Sequence, residues 1–260
     1  MSEWALILGA SSGFGGAAAI ALAEAGLDIF GIHMDRRTTL SHVETIIRDI
    51  TDKGRQAVFF NINAADFHKR VDAVSKIKDS AGKDGRIKVL LHSLAFGSLK
   101  PVVSPVPDDA LSQSQVEMTL DVMASSLLYW TQDLHHAGLL KRGSQVFAMT
   151  SSGGRRQWES YGAVSAAKAA LESYIRQLAV ELGTEGIAAN SIQAGITDTP
   201  ALRKIPGARQ MIEHAQRVNP SGRLTTPADI AKVLMLLGLS EDSWLTGNVI
   251  RVDGGEDITG

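Results

Sequence analysis

The chain predicts a single α/β domain, residues 1–260, built on a doubly wound parallel sheet of about seven strands with helices on both faces. Three observations carry this. Short apolar runs recur along the chain. Longer amphipathic or alanine-rich runs separate them. A glycine-rich turn joins the first strand to the first helix. Strands that read as near-continuous apolar runs are covered on both faces, as a parallel sheet between helices requires.

The strands are expected at Trp4–Leu8, Asp28–His33, Ala57–Ile62, Ile87–His92, Ser144–Thr150, Ala188–Gln193 and Asn248–Val252. The helices are expected at Phe14–Ala25, Thr39–Lys53, Phe67–Ala81, Leu111–Ala137, Tyr161–Leu182 and Ala228–Leu237. The stretch 197–224 is irregular, with Pro200, Pro206, Gly207, Pro220 and Gly222. It follows the sixth strand, so it should overhang the carboxyl edge of the sheet, where ligands bind in such folds. We read it as a substrate-binding lid.

Composition narrows the function classes. A hydrophobic content of 44% fits a globular protein, and a net charge of −2 argues against a nucleic-acid binder. Without cysteine there is no disulfide or Cys-metal site, which suits a reducing cytoplasm. The N-terminus opens directly into the first strand, leaving no room for a signal peptide, and no apolar run approaches the ~20 residues of a membrane span. His135 and His136 lie late in a helix without nearby acidic ligands, so no metal site is expected.

Two motifs point to chemistry. The first is Gly9-x3-Gly13-x-Gly15, between an apolar strand and an alanine-rich helix. Glycine there allows a tight turn and close approach to a pyrophosphate, with helix-terminal N–H groups facing the anion; the bland alternative is an ordinary turn. The second is Tyr161 seven residues before Lys168 at the start of a helical run. Seven residues is about two helical turns, so both side chains point to roughly one side. A lysine near a phenol favours the phenolate and lowers its pKa. Such a pair also arises with no function on many helix faces.

With these residues in view, the chain resembles the short-chain dehydrogenase/reductase family, essentially end to end. The matching marks are the glycine motif, Ser151 ahead of Tyr161, Lys168, the run Ala189 to Thr199 and the closing run Gly247 to Gly255 with Asp253. The resemblance implies a Rossmann-type fold, usually in a homotetramer. Three departures separate the chain from the ketone-reducing branch. Val164, not tyrosine, lies four before Lys168. The run after the fourth strand is His92-Ser93-Leu94-Ala95-Phe96-Gly97. Met123 stands where that branch has a helix asparagine. All three look like the enoyl-acyl-carrier-protein reductase branch, most of all its NADPH-dependent third type.

A physical reason accompanies the displaced tyrosine. In a ketone the proton goes to the oxygen on the carbon that takes hydride. In an enoyl thioester hydride goes to the β-carbon and charge collects on the more distant thioester oxygen. A phenol moved by one turn suits the second case.

The resemblance assigns the catalytic roles to Tyr161, Lys168 and Ser151. Tyr161 stabilises or protonates the enolate oxygen, and Lys168 also holds the nicotinamide ribose. Gly9, Ser11, Ser12, Gly13, Phe14 and Gly15 form the pyrophosphate loop; Asn63 meets adenine; Ser93, Leu94 and Ala95 pass the adenosine-side ribose; Gly195, Ile196 and Thr199 lie at the nicotinamide. His33 ends the second strand, where NAD users place an acid. Asp35 follows, and Arg36 and Arg37 could clasp a 2′-phosphate. NADPH is therefore favoured, with NADH the alternative. The substrate is expected to be an acyl thioester, on acyl carrier protein or another carrier. Arg155, Arg156, Arg203, Lys204 and Arg209 near the site mouth could steer an acidic carrier or serve as ordinary surface charge. Tyr129 and Trp130 are expected on a subunit interface. Two rival readings stand beside enoyl reduction: a carbonyl reductase of the same family, and a non-catalytic dinucleotide sensor.

Overall fold

The structure, a computed structural model, describes residues 2–242 and 244–259; Met1, Ser243 and Gly260 lie outside the described residues. Seven strands form one sheet: β1 (Glu3–Leu8), β2 (Asp28–His33), β3 (Ala57–Asn61), β4 (Arg86–His92), β5 (Gln145–Ser151), β6 (Ala188–Ala194) and β7 (Val249–Val252). Their spatial order is β3-β2-β1-β4-β5-β6-β7, and every pair is parallel. The predicted doubly wound sheet is borne out.

Side-chain alternation explains the apolar runs. Trp4, Leu6 and Leu8 of β1 point to one face, with Phe30, Leu90 and Val146, beneath α3 (Phe67–Ala81), α5 (Ser126–His136) and α6 (Gly162–Leu182). Ala5 and Ile7 point to the other, with Ile29, Val89 and Phe147, beneath α1 (Gly13–Glu24), α2 (Leu40–Thr51) and α8 (Pro227–Gly238). A period of two with both faces buried makes the run from Trp4 to Leu8 continuously apolar.

The predicted helix 111–137 is not continuous. Ser112 caps α4 (Gln113–Leu120) through a reciprocal box with Gln115. A π turn, Asp121–Ser125, then separates α4 from α5. Its cause is local. Ser126 Oγ donates back to Val122 O at 2.8 Å and takes a hydrogen bond from His92 Nε2 at 2.9 Å. Trp130 is fully buried and donates to Ala64 O at 2.9 Å, so it belongs to the core of its own chain and not to a subunit interface.

The predicted lid 197–224 carries structure of its own: a 3₁₀ turn, Leu202–Lys204, and an amphipathic helix α7 (Ala208–Val218). Thr226 and Pro227 then start α8 with a second capping box, closed by Asp229. No helix of the described residues is long and apolar enough to cross a membrane.

At the amino-terminal edge of the sheet, away from the loops that matter below, Lys88 is almost wholly buried. Its ammonium donates to Gly143 O (2.8 Å), Ser240 O (2.7 Å) and Glu241 Oε1 (3.0 Å). It ties β4 to the loops before β5 and after α8. Lys88→Met should lower unfolding stability by about 2–4 kcal/mol, because buried carbonyls lose their donor. Urea denaturation checks this, and an unchanged midpoint would contradict it.

Candidate active site

The strand order reverses between β1 and β4, so a crevice opens between their carboxyl ends. The glycine motif lines it. Gly9 has φ +92, and a Cβ there would stand 2.5 Å from Ser93 O; a Cβ on Gly15 would stand 2.1 Å from Gly9 O. Only glycine lets these backbones meet. The amino terminus of α1 carries no side-chain cap on Ser12 and no acid in its first turn, so its N–H groups are available to an anion. Ser11, Ser12 and Phe14 sit on this loop, and Leu94 reaches it from across the crevice. These residues fit a dinucleotide pyrophosphate.

At the end of β2, His33 is buried and its Nδ1 pairs with Asp35 Oδ2 at 3.0 Å. Partial burial opposes ionisation of Asp35, but Thr39, Ser11 and His33 beside it hold its carboxyl below the usual range. Asp35 thus stands next to the glycine loop as a carboxylate, while Arg36 and Arg37 are exposed. Asn63 uses its side-chain oxygen to accept from Ala65 N at 3.0 Å, which shapes the loop after β3.

The second cluster lies at the ends of β5 and β6. Tyr161 does not lie inside α6; it is the residue before it, with φ −102 and ψ 2. Ser160 ahead of it has φ 61, a left-handed conformation uncommon for serine. The phenol ring packs on Gly153. A Cβ there would stand 2.6 Å from Tyr161 Cε1 and 3.1 Å from Ser151 Oγ. Gly153 was not singled out by the sequence reading; its signal is the Ser-Ser-Gly-Gly run that ends β5. Ser151 Oγ is buried and has no hydrogen-bond partner of ordinary geometry among the described residues.

The expected lowering of the Tyr161 pKa by Lys168 does not occur in this state. Burial raises the phenol above its usual value, opposed only by Ser151. The reason is where the lysine goes. Lys168 is buried on α6 and donates to Met149 O at 2.7 Å. Burial brings it down to about 8, with Glu172 one turn on pulling the other way. Glu172 is itself fixed by Thr150 Oγ1 at 2.7 Å. His92 is wholly buried and is pushed down to about 3 by burial and then by the Lys168 ammonium, so it is neutral and unsuited to the role of base. Met123, in the π turn, has its Sδ 2.9 Å from where a Cβ on Gly97 would lie.

The nicotinamide-side residues also converge. The Thr199 methyl is 3.8 Å from a Cβ position on Gly13, which brings the start of the 197–224 segment onto the glycine loop. Gly195 is closely enclosed by Thr225, Glu256 and Asp253. The Ile196 N–H is taken: it donates to both Glu256 carboxylate oxygens at 3.1 Å. Most of the basic cluster is paired inside the chain, which reduces its value for an acidic carrier. Arg155 and Arg156 meet Asp257, Arg203 meets Asp198, and Arg209 meets Glu213. His135 has an acidic neighbour after all, Glu185 at 2.9 Å, although no group of three or more His, Asp or Glu that could hold a metal occurs among the described residues.

Comparison with known proteins agrees with this geometry. The family model described as Enoyl-(Acyl carrier protein) reductase matches residues 9–256. The enoyl-[acyl-carrier-protein] reductase [NADH] FabI of Nostoc sp. (strain PCC 7120) is 28% identical over 84% of this chain and 81% of that protein. A cyclohexanol dehydrogenase of Rhodococcus sp. (strain TK6) is equally similar, at 28% over 96% and 94%. The crystal structure of an enoyl-[acyl-carrier-protein] reductase (NADH) from Aquifex aeolicus VF5 superposes with a TM-score of 0.83, at 23% identity, over 99% of this chain and 97% of that one. A match over nearly the whole chain, on a seven-stranded parallel sheet with a glycine crevice, makes this a dinucleotide-dependent oxidoreductase of the short-chain dehydrogenase/reductase family, in its enoyl-acyl-carrier-protein reductase branch.

Proposed function

We propose that the protein reduces the carbon–carbon double bond of an enoyl thioester, with Tyr161 as the neutral donor to the thioester oxygen. The observation that carries this is the Tyr161 phenol, seated on Gly153 one residue ahead of α6 and held protonated by burial. A reduced nicotinamide, when bound, supplies the hydride taken by the β-carbon. Negative charge then moves along the conjugated system to the thioester oxygen. A preorganised phenol aimed at that oxygen contributes ~3–4 kcal/mol of transition-state stabilisation. Tyr161 needs no lowered pKa for this work, since a neutral phenol already donates. Lys168, displaced from Met149 O, would reach the ribose hydroxyls and the phenol edge of the site. Glu172 supports its charge from one turn away.

Ser151 supports a second reading. A buried hydroxyl beside the tyrosine is also what a carbonyl reductase needs, and a dehydrogenase of an alcohol is among the relatives. The two readings differ in the position of the oxygen that must be stabilised.

For the dinucleotide, the end of β2 favours NADH over the NADPH preferred on sequence. Asp35 is a carboxylate beside Ser11, suited to accept from ribose hydroxyls and to repel a 2′-phosphate. Arg36 and Arg37 project to solvent. The FabI relatives are NADH enzymes by name. The 197–224 segment acts as the lid over the acyl chain, which the Thr199 contact with Gly13 anchors at one end. Assembly of several copies is supported by the exposed Trp244, Leu245 and Val249 beside edge strand β7.

Turnover followed by NADH oxidation should be seen with crotonyl and longer enoyl thioesters and be absent with acetoacetyl thioesters. The opposite pattern would establish the carbonyl-reductase reading. NADPH in place of NADH should lower kcat/KM by at least about tenfold, and Asp35→Asn should narrow that gap. Tyr161→Phe should cost about 10²–10³ in kcat with dinucleotide affinity retained, measured by fluorescence titration; unchanged turnover would remove Tyr161 from the chemistry. Because kcat/KM reports the free enzyme, it should decline above pH about 8 as Lys168 loses its proton. In Lys168→Arg the same profile should stay flat across that range, because a guanidinium keeps its charge.

A further inference from the structure

From Asp253, three residues before the end of the family match at 256, the chain folds into a small turn that touches the loops after β5 and β6. Asp253 closes this turn on itself: Oδ1 accepts from Gly255 N at 2.9 Å and Oδ2 from Asp257 N at 3.1 Å. Two carboxylates then project from it in different directions.

Glu256 reaches the end of β6. It accepts the Ile196 N–H and packs against Gly195. Asp257 reaches the end of β5. Its side chain is only 4% exposed, and it meets Arg155, Arg156 at 3.3 Å and Arg251 at 3.2 Å. Gln193 of β6 donates to it at 3.2 Å, and Arg155 donates to Gln193 Oε1 at 3.2 Å. The carboxylate is enclosed while its arginine partners keep part of their surface in water, so the ion pairs are partly screened and their value lies in fixing geometry. Burial works against its charge, but Arg155 and Gln193 hold Asp257 below the usual carboxylate range.

The consequence reaches Tyr161 through covalent geometry. Arg155 and Arg156 close the 3₁₀ turn that follows Ser151, their N–H groups both donating to Ser152 O at 2.9 and 2.8 Å. Gly153, inside that turn, is the surface on which the Tyr161 ring rests. A shift of the two arginines is therefore a shift of the floor under the phenol. A displacement of about 1 Å at such a place costs on the order of a hundredfold in rate.

We infer that the C-terminal turn is a clasp that joins the ends of β5 and β6, with Asp257 a positioning residue for Tyr161 and Ser151 and Glu256 a positioning residue for the Gly195–Thr199 run. This rests on the assignment of Tyr161 to the chemistry. It gives the two loops one shared anchor, so the phenol and the nicotinamide end of the crevice keep their separation.

The test uses the full chain with Asp257→Asn, Asp257→Glu and, as a control, Asp72→Asn, which breaks an exposed pair with Lys76 far from the site. Amide hydrogen exchange is read without dinucleotide or substrate, so it does not depend on which substrate the enzyme takes. In Asp257→Asn, exchange at residues 152–156 should rise at least about tenfold, and kcat should fall by about 10–100-fold with a much smaller change in KM. Asp257→Glu should recover part of both, and Asp72→Asn should change neither. If Asp257→Asn does not fold, Arg155→Gln cuts the clasp from the loop side and carries the same expectations. Wild-type exchange at 152–156 would overturn the clasp. Raised exchange with full kcat would overturn the positioning role while leaving the assignment of Tyr161 untouched.

Discussion

Parallel pairing of all seven strands is the constraint on which the rest depends. It sends every strand's carboxyl end to one edge of the sheet. Gly9 after β1, His33 at the end of β2, Ser93 after β4, Ser151 in β5 and Gly195 after β6 therefore meet at that edge although 186 positions separate the first from the last. Burial on both sheet faces keeps the central strands largely apolar and in register. The loops beyond them, freed from that duty, carry the polar chemistry. The reversal of strand order between β1 and β4 opens the crevice, and the Gly9 and Ser93 backbones come together in it.

Within that edge the chemistry rests on the distribution of protons among buried groups. Tyr161 is held protonated, Lys168 is brought down to about 8 while keeping its charge at neutral pH, and His92 is kept neutral by burial and by the lysine. A neutral phenol suits a site that stabilises an enolate by hydrogen bonding. The lysine is poised by two opposing effects, burial against Glu172, and its contact with Met149 O leaves it within the crevice wall. The C-terminal turn adds rigidity between the two halves of the site, through carboxylates that look like surface charge in the sequence.

Much of this was legible in the residues. The central strands were visible because burial on both faces forces a largely apolar run, and the glycine loop because backbone contact excludes a side chain. Tyr161, Lys168 and Ser151 followed from spacing and family likeness. What was not legible has physical causes. The break in helix 111–137 depends on Ser126 bonding both Val122 O and His92, and His92 is 34 residues away in the chain. The rise in the Tyr161 pKa depends on burial, which a two-residue spacing argument omits. The pairing of Arg155 and Arg156 with Asp257 spans about a hundred residues, so the basic cluster looked open to partners. The caps at Ser112 and Thr226, by contrast, were present as local signals and would have corrected two helix starts.

The central claim is that Tyr161 works as a neutral phenol whose pKa lies above the ordinary value of about 10. The protein contains three tyrosines, so the ring carbon that bears the hydroxyl can be labelled with ¹³C and assigned with one Tyr161→Phe variant. Titration by NMR from pH 6 to 11, in the dinucleotide-free enzyme, reads the phenol directly (pH range chosen to bracket the ordinary value of about 10). The account predicts a Tyr161 titration midpoint above the ordinary value of about 10. A phenolate signal already present near pH 8 would contradict it and would return the lysine to the role of lowering the tyrosine's pKa.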